Sequence, residues 1–223
     1  MKQKAHDEFV DWTLHTLIWI KKRWKSALEI VGLAVLVFVV VVGATHYWDW
    51  RSNTAAEAYY KTSLLKEDSD LRVKALEGVA DDYLGTLAGK RALMDLGNIY
   101  LKKENYDLAA KKFQLLAGKS RNHPMLFVAA MYKLAETQAA SGDAAAAVET
   151  YLKVAADPNN LISMNSRFKA AKTLEGVGEY EKAAGIYRQI IDEATEKDFF
   201  AKDKSEERLL WLMVRGHVQQ QHS

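Results

Sequence analysis

Residues 96–118 read LGNIYLKKENYDLAAKKFQLLAG, and two later stretches of the chain repeat their pattern. Residues 134–156 read LAETQAASGDAAAAVETYLKVAA, and residues 170–192 read AAKTLEGVGEYEKAAGIYRQIID. The three stretches begin 38 and 36 residues apart. Recurrence at this interval is typical of arrays in which each unit of about 34 residues is a pair of helices. The repeats therefore predict an all-α fold.

The positions that the three stretches share predict how the helices pack. The first helices carry Leu96, Leu134 and Ala170, each followed by a small residue, namely Gly97, Ala135 and Ala171. The second helices carry an alanine and, four residues later, an aromatic residue: Ala109 and Phe113, Ala147 and Tyr151, Ala183 and Tyr187. Because small side chains allow two helices to approach closely, we expect these alanines where paired helices cross, with the aromatic rings facing the next pair.

Turn residues mark where each first helix ends. Gly142 and Gly178 stand at equivalent positions, and glycine favours the left-handed backbone that commonly follows a helix. Glu104 stands there in the first repeat, so that turn is predicted to be less favourable. Tyr106 and Tyr180 are predicted to begin second helices, and Ala144 takes this place in the middle repeat.

Two further helical segments flank the repeats. Upstream, residues 53–66 and 70–84 predict a helix pair that opens with a capping box from Thr54 to Glu57 and is interrupted at Asp68 and Ser69. Downstream, a capping box from Asp203 to Glu206 predicts a final helix through residue 218. Its stretch LLWLMV, residues 209–214, is apolar on all sides. One face should seal the last repeat, and the remainder should meet a neighbour, a partner or the groove of the array.

A membrane segment precedes these helices. Residues 30–48 read IVGLAVLVFVVVVGATHYW and contain no Lys, Arg, Asp or Glu. As a helix, 19 residues cover roughly the 30 Å hydrocarbon core of a bilayer, so one transmembrane helix is predicted. The alternatives are a buried core helix, which would rarely be apolar on every face, and a cleaved signal peptide, whose apolar part would be shorter and nearer the start.

Flanking charge predicts the orientation of this segment. Four basic residues precede it, namely Lys21, Lys22, Arg23 and Lys25. On the far side, the opposite charges of Asp49 and Arg51 cancel. Because cytoplasmic flanks carry the excess of Lys and Arg, the N-terminus is predicted to be cytoplasmic and the large domain to lie outside. Residues 9–20 form either a short helix on the cytoplasmic surface or a flexible tail.

These observations divide the chain into five parts. The division is a cytoplasmic segment 1–29, a transmembrane helix 30–48, a linker and first helix pair 49–90, three repeats 91–198, and a C-terminal capping helix and tail 199–223.

The repeats over residues 93–191 resemble the tetratricopeptide repeat (TPR) family, which implies a helical solenoid. The order of parts narrows the resemblance: a single anchor, then HYWDWR, AAEAYY and a helix pair ending in YLGT at residues 83–86. It is similar to the YfgM-like family of membrane-anchored TPR proteins, ancillary subunits of the Sec translocon. That resemblance implies a bacterial inner-membrane protein with a periplasmic domain, which passes emerging polypeptides from SecYEG to periplasmic chaperones.

In a solenoid of this kind the first helices line a concave groove. Projecting the repeat geometry onto the sequence places nine side chains in it: Arg91, Met94, Asn98, Leu101, Tyr132, Glu136, Asn165, Phe168 and Lys172. Apolar and aromatic groups among single charges suit an extended or helical peptide of mixed character. Some of these side chains would instead pack against the final helix. The Lys/Asn/Arg clamp with which chaperone-binding TPR domains hold a terminal carboxylate is not expected, because only Asn98 and Lys169 fit it, while Met94 and Lys133 depart from it.

The sequence offers no convincing chemistry. The chain has no cysteine, which excludes disulfides, thiolate metal sites and a Cys nucleophile. Its six histidines lack metal-ligand spacing, and no HExxH, phosphate-binding glycine loop or GxSxG motif is present. From residue 51 onward, 25 Lys and Arg face 24 Asp and Glu, which is unlike a nucleic-acid-binding domain. We therefore expect no metal, no cofactor, no nucleic acid and no small-molecule substrate.

The leading interpretation is a non-enzymatic scaffold at the outer face of the inner membrane. Its expected partners are proteins, with SecYEG and periplasmic chaperones or clients as candidates, and the lipid bilayer through one helix. The alternative is a structural subunit of an envelope assembly such as a pilus or secretion apparatus. An enzyme is the third interpretation and would need a convergent polar pocket.

Overall fold

The computed structural model describes residues 2–67, 69–157 and 160–218, and within these ranges it contains nine α-helices and no strand. The bounds are α1 Lys2–Ser63, α2 Asp70–Asp82, α3 Leu87–Lys102, α4 Tyr106–Lys119, α5 Pro124–Ala140, α6 Ala144–Ala155, α7 Ser163–Gly176, α8 Tyr180–Glu193 and α9 Phe199–Val214. A short 3₁₀ turn, Glu196–Asp198, precedes α9. The predicted all-helical fold is confirmed.

The chain forms two compact units, Met1–Asn53 and Thr54–Ser223. In the first unit, α1 includes an 18-residue window of mean hydropathy 2.7, none of which is buried. By length and composition this helix can cross a membrane, and its exposure does not fit a core helix. Signal sequences share that length and composition, so retention as an anchor stays a prediction. Lys21 and Lys25 are exposed, and the side chains of Lys22 and Arg23 lie outside the described part.

The second unit, which we call the array, is built from helix pairs as predicted. Second helices begin at Tyr106, Ala144 and Tyr180. At the turns between paired helices, Gly142 and Gly178 have φ of 90° and 82°. Glu104 has φ of 57° and is the non-glycine residue with positive φ among the described residues. This backbone is costly for a residue with a Cβ, which confirms the less favourable first turn.

The shared repeat positions form the core of the array. Ala109, Ala147 and Ala183 are fully buried, as the predicted crossing points require. The following aromatic residues are also buried: Phe113, Tyr151 and Tyr187. Each belongs to an apolar cluster that includes residues of the next helix pair or of α9, for example Tyr151 with Ala170 and Tyr187 with Leu212. The small and aromatic repeat positions therefore join successive pairs.

Gly97 shows why a small residue is needed in the first repeat. A Cβ built at this position would lie 2.4 Å from Cε1 of Phe113 and 2.6 Å from its Cζ. The ring of Phe113 thus rests directly on the backbone of α3. This contact sets the separation between α3 and α4.

The predicted start of the upstream helix pair is wrong. Thr54 and Glu57 lie inside α1, which continues to Ser63, so the expected capping box does not form and residues 49–53 are helical. The second helix of that pair does begin at Asp70, where the side chain of Ser69 accepts a hydrogen bond from the backbone N–H of Arg72 at 3.2 Å. The predicted break at Asp68 lies outside the described residues.

The predicted bounds of the final helix are also wrong. Asp203 lies inside α9, which begins four residues earlier at Phe199 and ends at Val214. The capping box is made by Thr195 and Asp198, at the start of the 3₁₀ turn. One face of α9 does seal the last repeat, because Leu212 is fully buried in a cluster with Ala183 and Tyr187. The tail 219–223 lies outside the described residues.

Candidate peptide-binding face

The predicted groove residues lie on the first helices of the repeats, α3, α5 and α7. Seven of them are partly buried, at positions 94, 98, 101, 132, 136, 165 and 168, and Arg91 and Lys172 are exposed. We call the surface formed by α3, α5, α7 and α9 the first-helix face. α9 belongs to it because α9 packs against α7 and α8, where the first helix of a fourth unit would lie.

Polar contacts join neighbouring first helices from α5 to α9. The Asn165 amide donates a hydrogen bond to the Tyr132 hydroxyl at 3.2 Å. Lys169 faces Glu136 at 3.9 Å, and Glu136 also pairs with Lys133 at 2.8 Å. These contacts bring Tyr132, Glu136 and Asn165 together. They also hold α5 and α7 side by side.

The two predicted aromatic anchors are half-buried and rest on second helices. The rings of Tyr132 and Tyr151 are 5.5 Å apart in an edge-on arrangement, and those of Phe168 and Tyr187 are 5.8 Å apart. The buried ring in each pair fixes the position of the outer ring, so little rotamer freedom remains to be lost on binding. Burial and, to a smaller extent, the negative charge of Glu136 raise the pKa of the Tyr132 hydroxyl, so this hydroxyl is neutral at physiological pH.

Glu175 of α7 lies at the centre of the contact with α9. Its carboxylate accepts hydrogen bonds from Nε and Nη2 of Arg208 and, at 3.0 Å, from the Tyr187 hydroxyl. The Glu175 side chain is 9% exposed and that of Arg208 is 22% exposed. Partial burial alone would raise the pKa of Glu175, but the hydrogen bonds from Arg208 and Tyr187 outweigh it and hold that pKa below its ordinary value. The ion pair therefore ties α9 to the last repeat.

The lowered pKa of Glu175 predicts an acid-sensitive contribution to stability. Because the folded-state pKa lies below the unfolded one, this contribution is complete above the unfolded pKa and is lost as the pH falls through the folded value. In fragment 54–223, the free energy of unfolding should fall less in Glu175→Gln than in the wild type between about pH 6 and about pH 3. Urea denaturation across this range measures it.

Glu149→Gln is the matched control, because Glu149 is 68% exposed in an ion pair with Lys153 on one helix. Its pH profile should follow the wild type. Identical slopes for Glu175→Gln and the wild type would contradict the role given to Arg208 and Tyr187.

The α3 residues of the predicted groove do not join the α5–α7 contacts through a direct bond in the described part. Asn98 lines a polar cavity of about 180 Å³ with Glu67, Arg72 and Asp95, toward α2. Met94 and Leu101 pack in an apolar cluster with Phe113. Among the predicted groove residues, the direct hydrogen bond between neighbouring first helices therefore joins α5 and α7 in the described part.

The interactions of Asp95 extend the same arrangement to the start of the array. Its carboxylate accepts a hydrogen bond from the Tyr59 hydroxyl at 2.8 Å and faces Arg72 at 3.8 Å. Burial and then Asp95 raise the pKa of Tyr59 to about 12. Tyr59 and Asp95 thus connect the last turns of α1 with α3.

Sequence reasoning missed the residues that complete the first-helix face, Glu175 and Arg208, and gave Lys169 no role as a partner of Glu136. A signal for them was present. The three pairs Tyr132–Asn165, Glu136–Lys169 and Glu175–Arg208 are each separated by 33 residues. Complementary polar residues 33 residues apart, slightly less than the repeat intervals of 38 and 36, would have indicated contacts between neighbouring first helices.

Two further grooves of the array are mainly apolar. A groove of about 820 Å³ runs between the second helices α6 and α8 and is lined by Val148, Leu152 and Ile186. A smaller one, about 430 Å³, lies at the start of α5 beside Met125 and Leu161. Within the described ranges, no group of three or more His, Asp or Glu side chains is placed to hold a metal ion.

Comparison with known proteins agrees with the helical repeat fold. The tetratricopeptide repeat family profile matches residues 129–160. A search of curated proteins gives no match. The crystal structure of nearly identical TPR-like repeats from Podosopora anserina, assigned to a kinesin light chain, aligns with a TM-score of 0.53 at 15% identity. The alignment covers 75% of this chain and 86% of that chain, and a single-substitution variant of the same repeats gives the same values.

At 15% identity, this structural similarity is evidence for the fold alone. Folds of this class are typically non-enzymatic scaffolds for protein interactions, and their partners are proteins. The described part of the chain therefore has an all-helical, TPR-like solenoid fold, and residues 129–160 match the tetratricopeptide repeat family.

Proposed function

We propose that the chain is a non-enzymatic, membrane-anchored scaffold that binds peptide segments on its first-helix face. The observation that carries the proposal is the contact series from α5 to α9. Tyr132–Asn165, Glu136–Lys169 and Glu175–Arg208 hold three first helices side by side. A surface that is already ordered loses little conformational entropy when a partner binds.

The chemistry of this surface sets the kind of ligand. Tyr132 and Phe168 offer half-buried rings at equivalent positions of two repeats. Most charges between them are paired within the array. Lys172 faces Glu175 at 3.9 Å, but 44% of its side chain is exposed, so it can also contact a ligand. An extended or helical peptide with two apolar side chains and an acidic group suits this pattern.

The cellular setting that we propose comes from the resemblance to the YfgM-like family. The scaffold would sit in a bacterial inner membrane with its N-terminus in the cytoplasm and the array in the periplasm. There it would link the Sec translocon to periplasmic chaperones and their clients. The apolar helix and the basic residues before it, Lys21 to Lys25, support this setting.

Reporter fusions test the topology. A reporter active only in the periplasm should work after Ser223 and fail after Lys4. Moving the basic cluster to residues 49–53 should weaken or invert this orientation, because flanking Lys and Arg resist translocation. The reverse pattern in the unaltered chain would remove the periplasmic assignment, and cleavage of the first 48 residues would remove the anchor.

In-cell photocrosslinking tests the binding face. A photoreactive residue at position 132 or 168 should crosslink to translocon subunits or to many secreted clients. The control position is 115, since Leu115 is exposed on the second helix α4. Equal yields at all three positions would contradict the assignment of the face. A single stoichiometric partner would instead indicate a structural subunit of an envelope assembly.

A further inference from the structure

The outward side of α9 carries an exposed apolar surface distinct from the first-helix contacts. Phe199 is 72% exposed, Leu210 is 62% exposed and Val214 is 78% exposed. Phe200, at 67%, lies beside Phe199. Large apolar side chains in such a group indicate an interaction surface more often than isolated ones do.

The opposite side of α9 fixes this orientation. Ala201, Ser205 and Leu212 are buried against the last repeat, and the Ser205 hydroxyl donates a hydrogen bond to the Ala201 carbonyl at 2.7 Å. The outward residues recur at three- and four-residue intervals, so they form one stripe along the helix. The stripe consists of Phe199, Asp203, Glu206, Leu210 and Val214.

No second helix covers this stripe within the described residues, although each earlier first helix is followed by one. The residues after α9 fold toward α8 instead. The His217 ring stacks on Tyr180 with centroids 4.0 Å apart, and Val218 is buried in the same cluster. The chain beyond α9 that the structure describes therefore leaves the stripe open.

The stripe is apolar at both ends and acidic in the middle. Phe199 and Leu210 are separated by 11 residues, about 16 Å along a helix. Asp203 and Glu206 lie between them, both exposed, and the stripe contains no Lys or Arg. A second copy in antiparallel register would place these carboxylates against one another, which is unfavourable.

We propose that the outward stripe of α9 binds an amphipathic helical segment of a partner protein, with basic residues between two apolar anchors. The apolar anchors would cover Phe199 at one end and Leu210 with Val214 at the other. The basic residues would face Asp203 and Glu206. A helical partner suits this surface, because the side chains of one helix can pack along a straight stripe of this length and spacing on another. This surface is separate from Tyr132 and Phe168, so it can be tested apart from the first-helix face.

Two synthetic peptides of the same length test the proposal. Both carry leucines at the two ends of one helical face; one has lysines between them and the other has glutamates. Binding to the full chain in zwitterionic nanodiscs is followed by fluorescence anisotropy, with empty nanodiscs subtracted. The lysine peptide should bind at least about tenfold more tightly than the glutamate peptide, and added salt should reduce the difference.

Substitutions on α9 assign the binding site. The double substitution Leu210→Ser, Val214→Ser should weaken binding of the lysine peptide by about tenfold or more, because two apolar contacts are lost. Asp203→Lys with Glu206→Lys should reverse the preference between the peptides. Leu161→Ser is the matched control, since Leu161 is 91% exposed elsewhere on the array. Circular dichroism should be unchanged in all of these variants.

Three results would overturn the proposal. Equal affinity for the two peptides would show that charge complementarity does not contribute to binding. If the α9 variants still bind the lysine peptide, the binding site lies elsewhere. If Tyr132→Ala then abolishes binding, the site is on the first-helix face around Tyr132. A dimer in sedimentation analysis that the Leu210→Ser and Val214→Ser changes dissociate would assign the stripe to a second copy of the chain.

Discussion

Replacing Arg208 by alanine should lower the free energy of unfolding of the array by about 2–4 kcal/mol. Arg208 is the cationic partner of Glu175, whose side chain is 9% exposed. Without Arg208, the nearly buried carboxylate of Glu175 retains the hydrogen bond from the Tyr187 hydroxyl and a weak ion pair with Lys172 at 3.9 Å. Exposure of 22% at Arg208 places the cost below that of a fully buried pair. Urea denaturation of fragment 54–223 measures it.

A double-mutant cycle separates the ion pair from packing. Arg208 also lies over the Trp211 ring at 4.6 Å, so alanine removes that contact as well. Adding Glu175→Gln should recover part of the loss, because no uncompensated charge then remains. Lys153→Ala breaks an ion pair whose side chains are 63% and 68% exposed, and it should cost no more than about 0.5 kcal/mol. Equal costs for Arg208→Ala and Lys153→Ala would contradict the central role of Glu175.

Gly97→Ala should destabilise the array by about 1–3 kcal/mol, although alanine is the better helix former. The added Cβ would lie 2.4 Å from the ring of Phe113, which is fully buried, so the ring or the helix must shift. Thermal unfolding followed by circular dichroism should therefore show a melting temperature lower by several degrees.

The Phe113 ring is the stated cause, so it provides the internal test. In a Phe113→Leu background the clash is relieved, and Gly97→Ala should cost less than in the wild type, with a coupling energy of about 0.5–3 kcal/mol. Gly118→Ala is the matched control, since no atom lies within 4 Å of its added Cβ. It should be neutral or stabilising by up to about 1 kcal/mol. Additive effects of Gly97→Ala and Phe113→Leu would show that the ring does not set the helix separation.

The sequence predicted the parts of the fold that depend on local periodicity. The starts of the second helices at Tyr106, Ala144 and Tyr180 agree with the structure. So do the positive φ angles at Gly142 and Gly178. These features follow from short-range rules, because glycine relieves the left-handed turn and small residues at fixed intervals define a crossing face.

Capping patterns taken alone misled the prediction at both ends of the array. Thr54 to Glu57 and Asp203 to Glu206 have the residue types of a capping box, yet both lie inside longer helices. A cap contributes about 1 kcal/mol, which continued helix formation or tertiary packing can exceed. At α9, burial of Ala201 against the last repeat accompanies an earlier start, at Phe199.

The sequence by itself determined that this chain is a helical repeat array and where its turns and crossing alanines lie. Only the tertiary structure decided which polar groups meet, as in Glu175 with Arg208 and Glu136 with Lys169. It also decided that α9 lies beside α7 while its outer stripe stays open. The reason is physical: periodicity fixes which way a side chain faces on its own helix, whereas a contact between first helices depends on how the intervening second helix spaces and tilts them.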